Sequence, residues 1–448
     1  MRVVFPTSNP LPRVAMDHAQ STRENERRVL DAELAGALEV PGLPIRFNLE
    51  LTADCNLHCR MCACEITRQD CRRRGLTDFH MPLDQFRAAV ARVFPLCSIL
   101  NPSLVGEPLV LPYLDELIDA AREYAVRLDI VTNGVLLDAG MSRRLLPVLS
   151  GMMLSVDGAT RETFEGIRNG ASHARVMANL AHFSRLRREL GLGEEVQLSF
   201  SVALMQENIR ELLAIVELAA RHQVDRIVAS HLVVFRPSLL GSSLIHRPEL
   251  AESFLAAARR RAEELGVEVC FPAPLQWSDR AALLKVERGT DLEGKEGVPP
   301  APGDGPLGTV PTPAPSEEHG DTRSVPATPS AAADPLPAAP DRDEPLPKTA
   351  ITLNRPARWP GRYYCKFPWR EVFVSLGGEV SPCCAQGRPV FGNAFETDIE
   401  EIWNGPGYRR LRRGLFDGDL TSYCRQCTYL QESGYLDYDS ATYPRLND

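Results

Sequence analysis

Six short apolar runs recur along the first half of the chain: Ile45 to Leu51, Ser98 to Leu104, Arg127 to Val131, Met152 to Val156, Val196 to Leu204 and Arg226 to Val233. Between them, Leu83 to Phe94, Leu114 to Val126, Ser142 to Leu149, Arg175 to Leu190 and Ile209 to His222 carry apolar residues at helical spacing. A parallel pair of strands needs a long crossover, and a helix supplies it. Strands and helices in this alternation predict an α/β fold with parallel βα units, and six of them fit a partial (β/α)6 TIM-like barrel. In such folds chemistry gathers at the carboxyl ends of the strands. The residues that follow each run are therefore the ones to read for function.

The first run leads into Cys55-Asn-Leu-His-Cys59-Arg-Met-Cys62. This spacing puts three thiolates in one loop, and a cubane iron-sulfur cluster takes four ligands, so one iron would have no protein ligand. A zinc reading stays open, because His58 lies inside the loop and Cys64 and Cys71 follow it. Zinc knuckles, however, usually come as paired CxxC or Cys/His sets that close a tetrahedron. Cys64 and Cys71 read as spare thiols, and Cys97 and Cys270, each in an apolar stretch, as small buried hydrophobes.

A second constellation lies near the other end of the chain: Cys365, then Gly378 followed after four residues by Cys383, then Cys424-Arg-Gln-Cys427. Four cysteines in a small α+β module rich in strands and turns can close every site of a second [4Fe-4S] cluster, which suits an electron carrier. Cys384 is a rival ligand to Cys383, and an all-thiolate zinc tetrahedron is the alternative for the set.

The first cysteine loop resembles the signature of the radical S-adenosylmethionine (SAM) enzymes, in which this spacing follows the first strand of a partial barrel and a bulky residue, here Met61, precedes the third cysteine. The resemblance implies that Cys55, Cys59 and Cys62 hold a [4Fe-4S] cluster. Its open iron would chelate the amino and carboxylate groups of SAM, and one electron would cleave the sulfonium to a 5'-deoxyadenosyl radical.

The strand ends carry the resemblance further. Gly106-Glu107-Pro108 is similar to the family's GGE motif, which holds the SAM amino group, with Val105 in place of the first glycine; a simple turn before a helix is the other reading. Thr132-Asn133-Gly134 and Ser155-Val156-Asp157-Gly158 resemble the TNG and SxDG strand ends. That implies a place for Ser155 or Asp157 near the ribose or methionyl part of SAM, compatible with Asp157 also acting as an N-cap. Arg168 sits where related enzymes carry an arginine, and its planar guanidinium suits the SAM carboxylate; a solvated helix-end arginine is the alternative. Asn208 reads as an N-cap and a cofactor contact. Val228-Ala229-Ser230 would offer backbone groups to adenine.

The C-terminal constellation resembles the SPASM and twitch extensions of these enzymes, through Cys365-Lys-Phe-Pro-Trp369, the GxxxxC turn, Gly392-Asn393 and Glu401-Ile-Trp403-Asn404. Since no cysteine follows Cys427, a single auxiliary cluster on Cys365, Cys383, Cys424 and Cys427 is implied. The basic run Arg409-Arg410 and Arg412-Arg413 reads as a solvated helix face.

From Thr290 to Ala350, 14 of the 36 prolines gather without one aromatic residue. Such a segment cannot bury enough apolar surface to offset its ordering entropy, so a disordered tether is expected. The expected organisation is an N-terminal extension over 1–42, a core over 43–275, a Pro-rich linker over 285–352, an auxiliary domain over 360–430 and a tail over 431–448. The net charge of -9 argues against a nucleic-acid or anionic-membrane partner. No apolar stretch approaches the roughly 20 residues that span a bilayer, and the N-terminus has too short an apolar core for a signal peptide. A cytoplasmic location is expected, with the twelve cysteines as metal ligands and thiols, not disulfides.

The function that the resemblance implies is that of a radical SAM oxidoreductase, fed by a flavodoxin- or ferredoxin-type electron donor. It would take hydrogen from a small sugar-like or natural-product intermediate, for dehydrogenation or epimerisation. An epimerase would need a second hydrogen donor, for which Cys64, Cys71 or Cys97 are the candidates. A ribosomally made peptide is the alternative substrate, and a noncatalytic zinc-binding scaffold is the alternative of another class.

Overall fold

The computed structural model describes residues 17–73, 75, 78–234, 236–272, 363–383, 388–425 and 431–432. The Pro-rich stretch, Cys384 and Cys427 lie outside these residues. A first helix, α1 (Asp17–Leu34), precedes an alternation of strands and helices. The strands are β1 (Arg46–Leu49), β2 (Ile99–Asn101), β3 (Arg127–Thr132), β4 (Leu149–Ser155), β5 (Gln197–Leu204), β6 (Arg226–His231) and β7 (Glu268–Cys270), each parallel to the next. Between them run α2 (Cys64–Arg73), α3 (Leu83–Val93), α4 (Leu114–Glu123), α5 (Ala139–Leu145), α6 (Arg161–Ile167), α7 (His173–Glu189), α8 (Leu212–Arg221) and α9 (Pro248–Leu265). This is the partial α/β barrel, with one strand more than the six expected.

Local chemistry sets the helix ends. Asp138 caps α5 by accepting from the Met141 amide at 2.8 Å, Thr160 caps α6, and Ser172 caps α7. The helix α9 begins with Pro248 and stops at Gly266, whose φ of +69° is the left-handed conformation that favours glycine. The strand β1 alternates with period two. Ile45, Phe47, Leu49 and Leu51 join the main core with Phe86, Val90 and Phe94, each such burial contributing about 1.5–3 kcal/mol. Arg46, Asn48 and Glu50 occupy the other face and are buried as well.

Those polar residues are satisfied by partners from far along the chain. Arg46 pairs with Asp129 at 2.7 Å and with Glu371 at 3.6 Å, Asn48 donates to Glu371 at 3.2 Å, and Lys366 reaches Glu371 at 3.4 Å. The C-terminal segment thereby meets the barrel. Its strands are β8 (Tyr363–Tyr364), β9 (Glu371–Val374), β10 (Glu379–Ser381) and β11 (Gly392–Asn393). β9 lies parallel to β1, with Arg46 opposite Glu371 and Leu49 opposite Val374, and β10 and β11 follow antiparallel. One ten-stranded sheet, in the order β11-β10-β9-β1-β2-β3-β4-β5-β6-β7, therefore joins β1, which leads into the first cysteine loop, to β10, which precedes Cys383. A last short strand, β12 (Gln431–Glu432), pairs with β8.

The N-terminal helix clamps the two segments together. Asn25 donates to Leu43 O at 2.9 Å and Leu96 O at 3.2 Å, and Glu33 accepts from Arg370 at 2.6 Å and from Tyr364 at 2.8 Å. The basic run expected on a solvated face corrects in part. Arg412, on the helix Pro406–Asp417, is 0% exposed, stacks over Trp403 and Tyr408, and donates to Pro368 O and Leu38 O at 2.8 Å each. Burial pulls its guanidinium down to about 9. Among the described residues, no helix is long and apolar enough to cross a membrane.

Candidate functional site

The loop from Thr52 to Ala63 leaves β1 and ends where α2 starts, and its shape is held from three sides. Arg68 of α2 reaches back to donate to Ala53 O at 3.2 Å, Cys55 O at 3.0 Å and the Asp54 carboxylate at 2.9 Å. The segment after α6 runs alongside, taking the amides of His58 on Asn169 O at 3.0 Å and of Arg60 on Ile167 O at 3.2 Å. Asn133, beyond β3, donates to Asn56 Oδ1 at 2.8 Å and to Cys55 Sγ at 3.8 Å. Cys55, Cys59 and Cys62 emerge partly exposed, while Cys64 is buried with its sulfur 3.2 Å from Ala53 O. None of the ten described cysteines is in a disulfide.

The three thiols are electrostatically unequal. Hydrogen bonds from the Cys64 thiol and from its amide, the latter at 3.3 Å, pull Cys62 down against burial, helped by Arg168 and Arg68. Burial pushes Cys59 up to about 11 although Arg168 opposes it, and burial also raises Cys55.

The turn after β2 meets this loop through its backbone. The Glu107 amide donates to Asp54 O at 2.8 Å, and a Cβ on Gly106 would stand 2.2 Å from Thr52 O. Only glycine fits there, which explains Gly106 by close approach of backbone to backbone. The Glu107 carboxylate is buried and accepts from Thr132 Oγ1 at 2.7 Å, the Asn133 amide at 2.7 Å and the Leu109 amide at 3.2 Å. Burial raises its pKa, and these donors oppose the rise. Thr132 and Asn133 thus act on Glu107 and on the cysteine loop together.

Arg168 follows from the same packing, because Ile167 and Asn169 on either side of it bind the cysteine loop. Its guanidinium is 8% exposed and pairs with the fully buried Asp157 at 2.6 Å, and its charge reaches Cys59, Cys62 and Glu107. Its Nε has no hydrogen-bond partner among the described residues. The solvated-arginine alternative is excluded by this burial. Asp157 is not the N-cap of α6, since Thr160 fills that position; instead Asp157 accepts from the Ala203 amide at 2.7 Å. Asn208 stands at a helix start without capping it. Its side chain accepts from the Met205 amide at 2.8 Å and donates to Asp157 O at 3.1 Å and Ala203 O at 2.8 Å, which fixes the ends of β4 and β5. Ser155 ends β4 half-buried, and Met61 packs against Ile167, Met205, Leu232, Val234 and Leu239. β6 runs past the end of β7, which stops opposite Val228, so Ala229 and Ser230 have a strand neighbour on one side.

Cys365, Cys383 and Cys424 are all half-buried in the C-terminal segment, and Cys383 and Cys424 both raise the pKa of Tyr423, which burial raises most. Cys97 lies before the amino end of β2 with its thiol on Ile99 O at 3.1 Å, so it is at the wrong end of the barrel to donate hydrogen to a substrate. One residue of the site was not expected. Glu50, 4% exposed, accepts from the amides of Val105 at 3.2 Å and Gly106 at 3.4 Å, and burial raises its carboxyl to about 7. The alternation Arg46, Asn48, Glu50 within an apolar run was the signal for it.

Three part-exposed thiols on one loop, beside a buried guanidinium with an unpartnered Nε, make a donor set that fits an iron-sulfur cluster with an anionic ligand. The comparisons agree. The Radical SAM superfamily model matches residues 49–219 and the SPASM iron-sulfur cluster-binding domain residues 365–428. Fe-coproporphyrin III synthase of Methanosarcina barkeri is 29% identical over 189 residues, which is 41% of this chain and 43% of that protein. The AdoMet-dependent heme synthase of the same organism is 30% identical over 125 residues, 27% of this chain and 33% of that one. The matches span less than half the length of these two relatives. The crystal structure of SuiB from Streptococcus suis shares the fold at a TM-score of 0.50 and 13% identity, over 87% of this chain and 72% of that one. This chain belongs to the radical SAM superfamily as a member with a SPASM domain, and takes a SAM-binding [4Fe-4S] cluster, an auxiliary iron-sulfur cluster and SAM.

Proposed function

We propose that this chain oxidises or epimerises a small, polar, sugar-like molecule by removing hydrogen from it inside the barrel. Cys55, Cys59 and Cys62 would hold the SAM-binding cluster, and Cys365, Cys383, Cys424 and Cys427 the auxiliary one; bound together with SAM they supply the reducing electron, the adenosyl radical and a second redox centre. The chain's own residues shape the ligand's place. Glu107 on its glycine turn receives the N–H groups of the SAM amino group and Arg168 the carboxylate, while Ser155 and Asp157 stand by the ribose or methionyl part. Thr132, Asn133 and Asn208 fix these groups, and Met61 borders the apolar patch. The extents proposed for the parts are 43–275 for the core and 360–430 for the auxiliary domain, with an external flavodoxin or ferredoxin as donor.

The observation that supports a polar substrate is the polar character of the barrel's inner strand faces, where Arg46, Asn48, Glu50, Asp129, Ser199 and Arg226 are buried or half-buried. These groups already pair within the protein, Arg46 with Asp129 and Glu371 and Arg226 with Glu268, so what supports the reading is the polar lining itself and not any group left for the substrate to satisfy. A second reading, an iron porphyrin, is favoured by the names of the two sequence relatives.

Anaerobic reconstitution tests both. The expected result is roughly eight irons per chain and release of 5'-deoxyadenosine that requires dithionite, with deuterium moving into it from labelled aminocyclitols or hexoses. Transfer from an iron porphyrin or a peptide alone would replace the substrate class. Full cluster loading without SAM cleavage, or unchanged cleavage in Cys59→Ala, would overturn the enzyme reading itself.

A further inference from the structure

The turn from Ser103 to Glu107 is tied down at four points. Ser103 Oγ donates to Gly106 O at 2.7 Å, the Glu107 amide donates to Asp54 O at 2.8 Å, and the amides of Val105 and Gly106 donate to Glu50 Oε1 at 3.2 and 3.4 Å. Of these ties, those to Glu50 are the ones whose acceptor titrates. Glu50 is also where the C-terminal segment bears on this turn, since its amide donates to Val374 O of β9 at 2.9 Å and the Arg388 charge faces its carboxylate.

We propose that Glu50 is a positioning residue that holds the Gly106–Glu107 turn ready for SAM only while its carboxylate is ionised. The inference rests on the reading of Glu107 as the receiver of the SAM amino group. A carboxylate accepts two amides strongly, because charge-assisted hydrogen bonds are about twice as strong as neutral ones. A carboxylic acid at the same place accepts weakly and adds a donor of its own.

The physical cause of the sensitivity is burial, which raises Glu50 to about 7, while the amides and Arg388 oppose it. The sign follows directly. Relative to the unfolded chain, burial raises Glu50 and its protonation adds stability as pH falls; relative to a turn displaced from a still-buried Glu50, the Val105 and Gly106 amides favour the carboxylate over the acid, so the ordered turn is favoured above that range and lost below it.

The test is equilibrium binding of SAM to the anaerobically reconstituted full chain, with amide exchange at Val105 and Gly106 as the second readout. Between about pH 8 and about pH 6, wild-type affinity should weaken roughly tenfold more than that of Glu50→Gln, as expected for one linked proton. The amino group of SAM titrates with both proteins and cancels in the ratio. Amide protection in the wild type should fall over the same range, and Arg388→Gln should move the midpoint up by removing the cation that favours the ionised form.

Equal pH dependence in wild type and Glu50→Gln, or protection that does not change with pH, overturns the inference. The exchange measurement needs only the wild type, so it decides even where the variant fails to fold. A loaded protein that does not bind SAM at about pH 8 would instead refute the role given to Glu107, which separates the two failures.

Discussion

Among single residues, the three thiols of the first loop differ because of what lies behind them. Cys62 is stabilised as thiolate by the Cys64 thiol and amide, whereas Cys59 is raised to about 11 by burial. The thiolate is the nucleophile, so in protein stripped of iron, iodoacetamide near neutral pH should modify Cys62 first and Cys59 last, as peptide mass spectrometry would show. Arg168 favours the ionised form of both thiols and pairs with the fully buried Asp157. Arg168→Met should therefore slow alkylation at both sites. It should also destabilise the fold by about 3–5 kcal/mol in urea titration, because it strands a buried carboxylate. The cysteine spacing was open to reading because ligand chemistry fixes residue type and separation. The cap assigned to Asp157 was not, since a helix start within a few residues offers several acceptors, and packing gave the position to Thr160. Glu50 escaped because a run of mostly apolar residues was read for its hydrophobicity and not for its period of two.

At the level of elements, the turn between β2 and α4 is the tightest piece of the site. A methyl group on Gly106 would meet Thr52 O at 2.2 Å and Asp54 O at 2.7 Å, both backbone atoms that cannot swing aside. Gly106→Ala should cost about 1–3 kcal/mol and displace Glu107 from Asn133. Loss of SAM binding with secondary structure intact, by calorimetry and circular dichroism, is the expected outcome; full affinity would show that the turn can move freely. The long strands and amphipathic helices were readable from periodicity. The helix α1 was not, because Asn25, Glu26 and Glu33 are buried polar residues satisfied by Leu43, Ser98 and Arg370 from distant parts of the chain. β7, three residues long, is too short to show a period, and its ion pair from Glu268 to Arg226 at 2.6 Å forms only after folding.

For the molecule as a whole, the pairing of β9 with β1 was the least legible feature, since nothing in Glu371-Val-Phe-Val374 names a partner more than 300 residues earlier. Local patterns predict a strand, but its neighbour is set by side chains that complete one another across the sequence. The clearest of these is Glu33, which takes Arg370 Nε at 2.6 Å and the Tyr364 hydroxyl at 2.8 Å, with Glu33 and Arg370 both buried. Removing one partner leaves an uncompensated buried charge, whereas replacing both by apolar groups of similar volume is often neutral. Glu33→Ala should therefore lower stability by about 3–5 kcal/mol, and Glu33→Leu combined with Arg370→Met should recover much of it. Urea unfolding of the wild type, Glu33→Leu, Arg370→Met and the double variant gives the coupling energy directly. If the single variant costs less than about 1 kcal/mol, the value of an exposed pair, then α1 does not hold the C-terminal segment through this contact. The seam would then depend on the β1–β9 ladder and on Glu371, where Arg46, Asn48 and Lys366 meet.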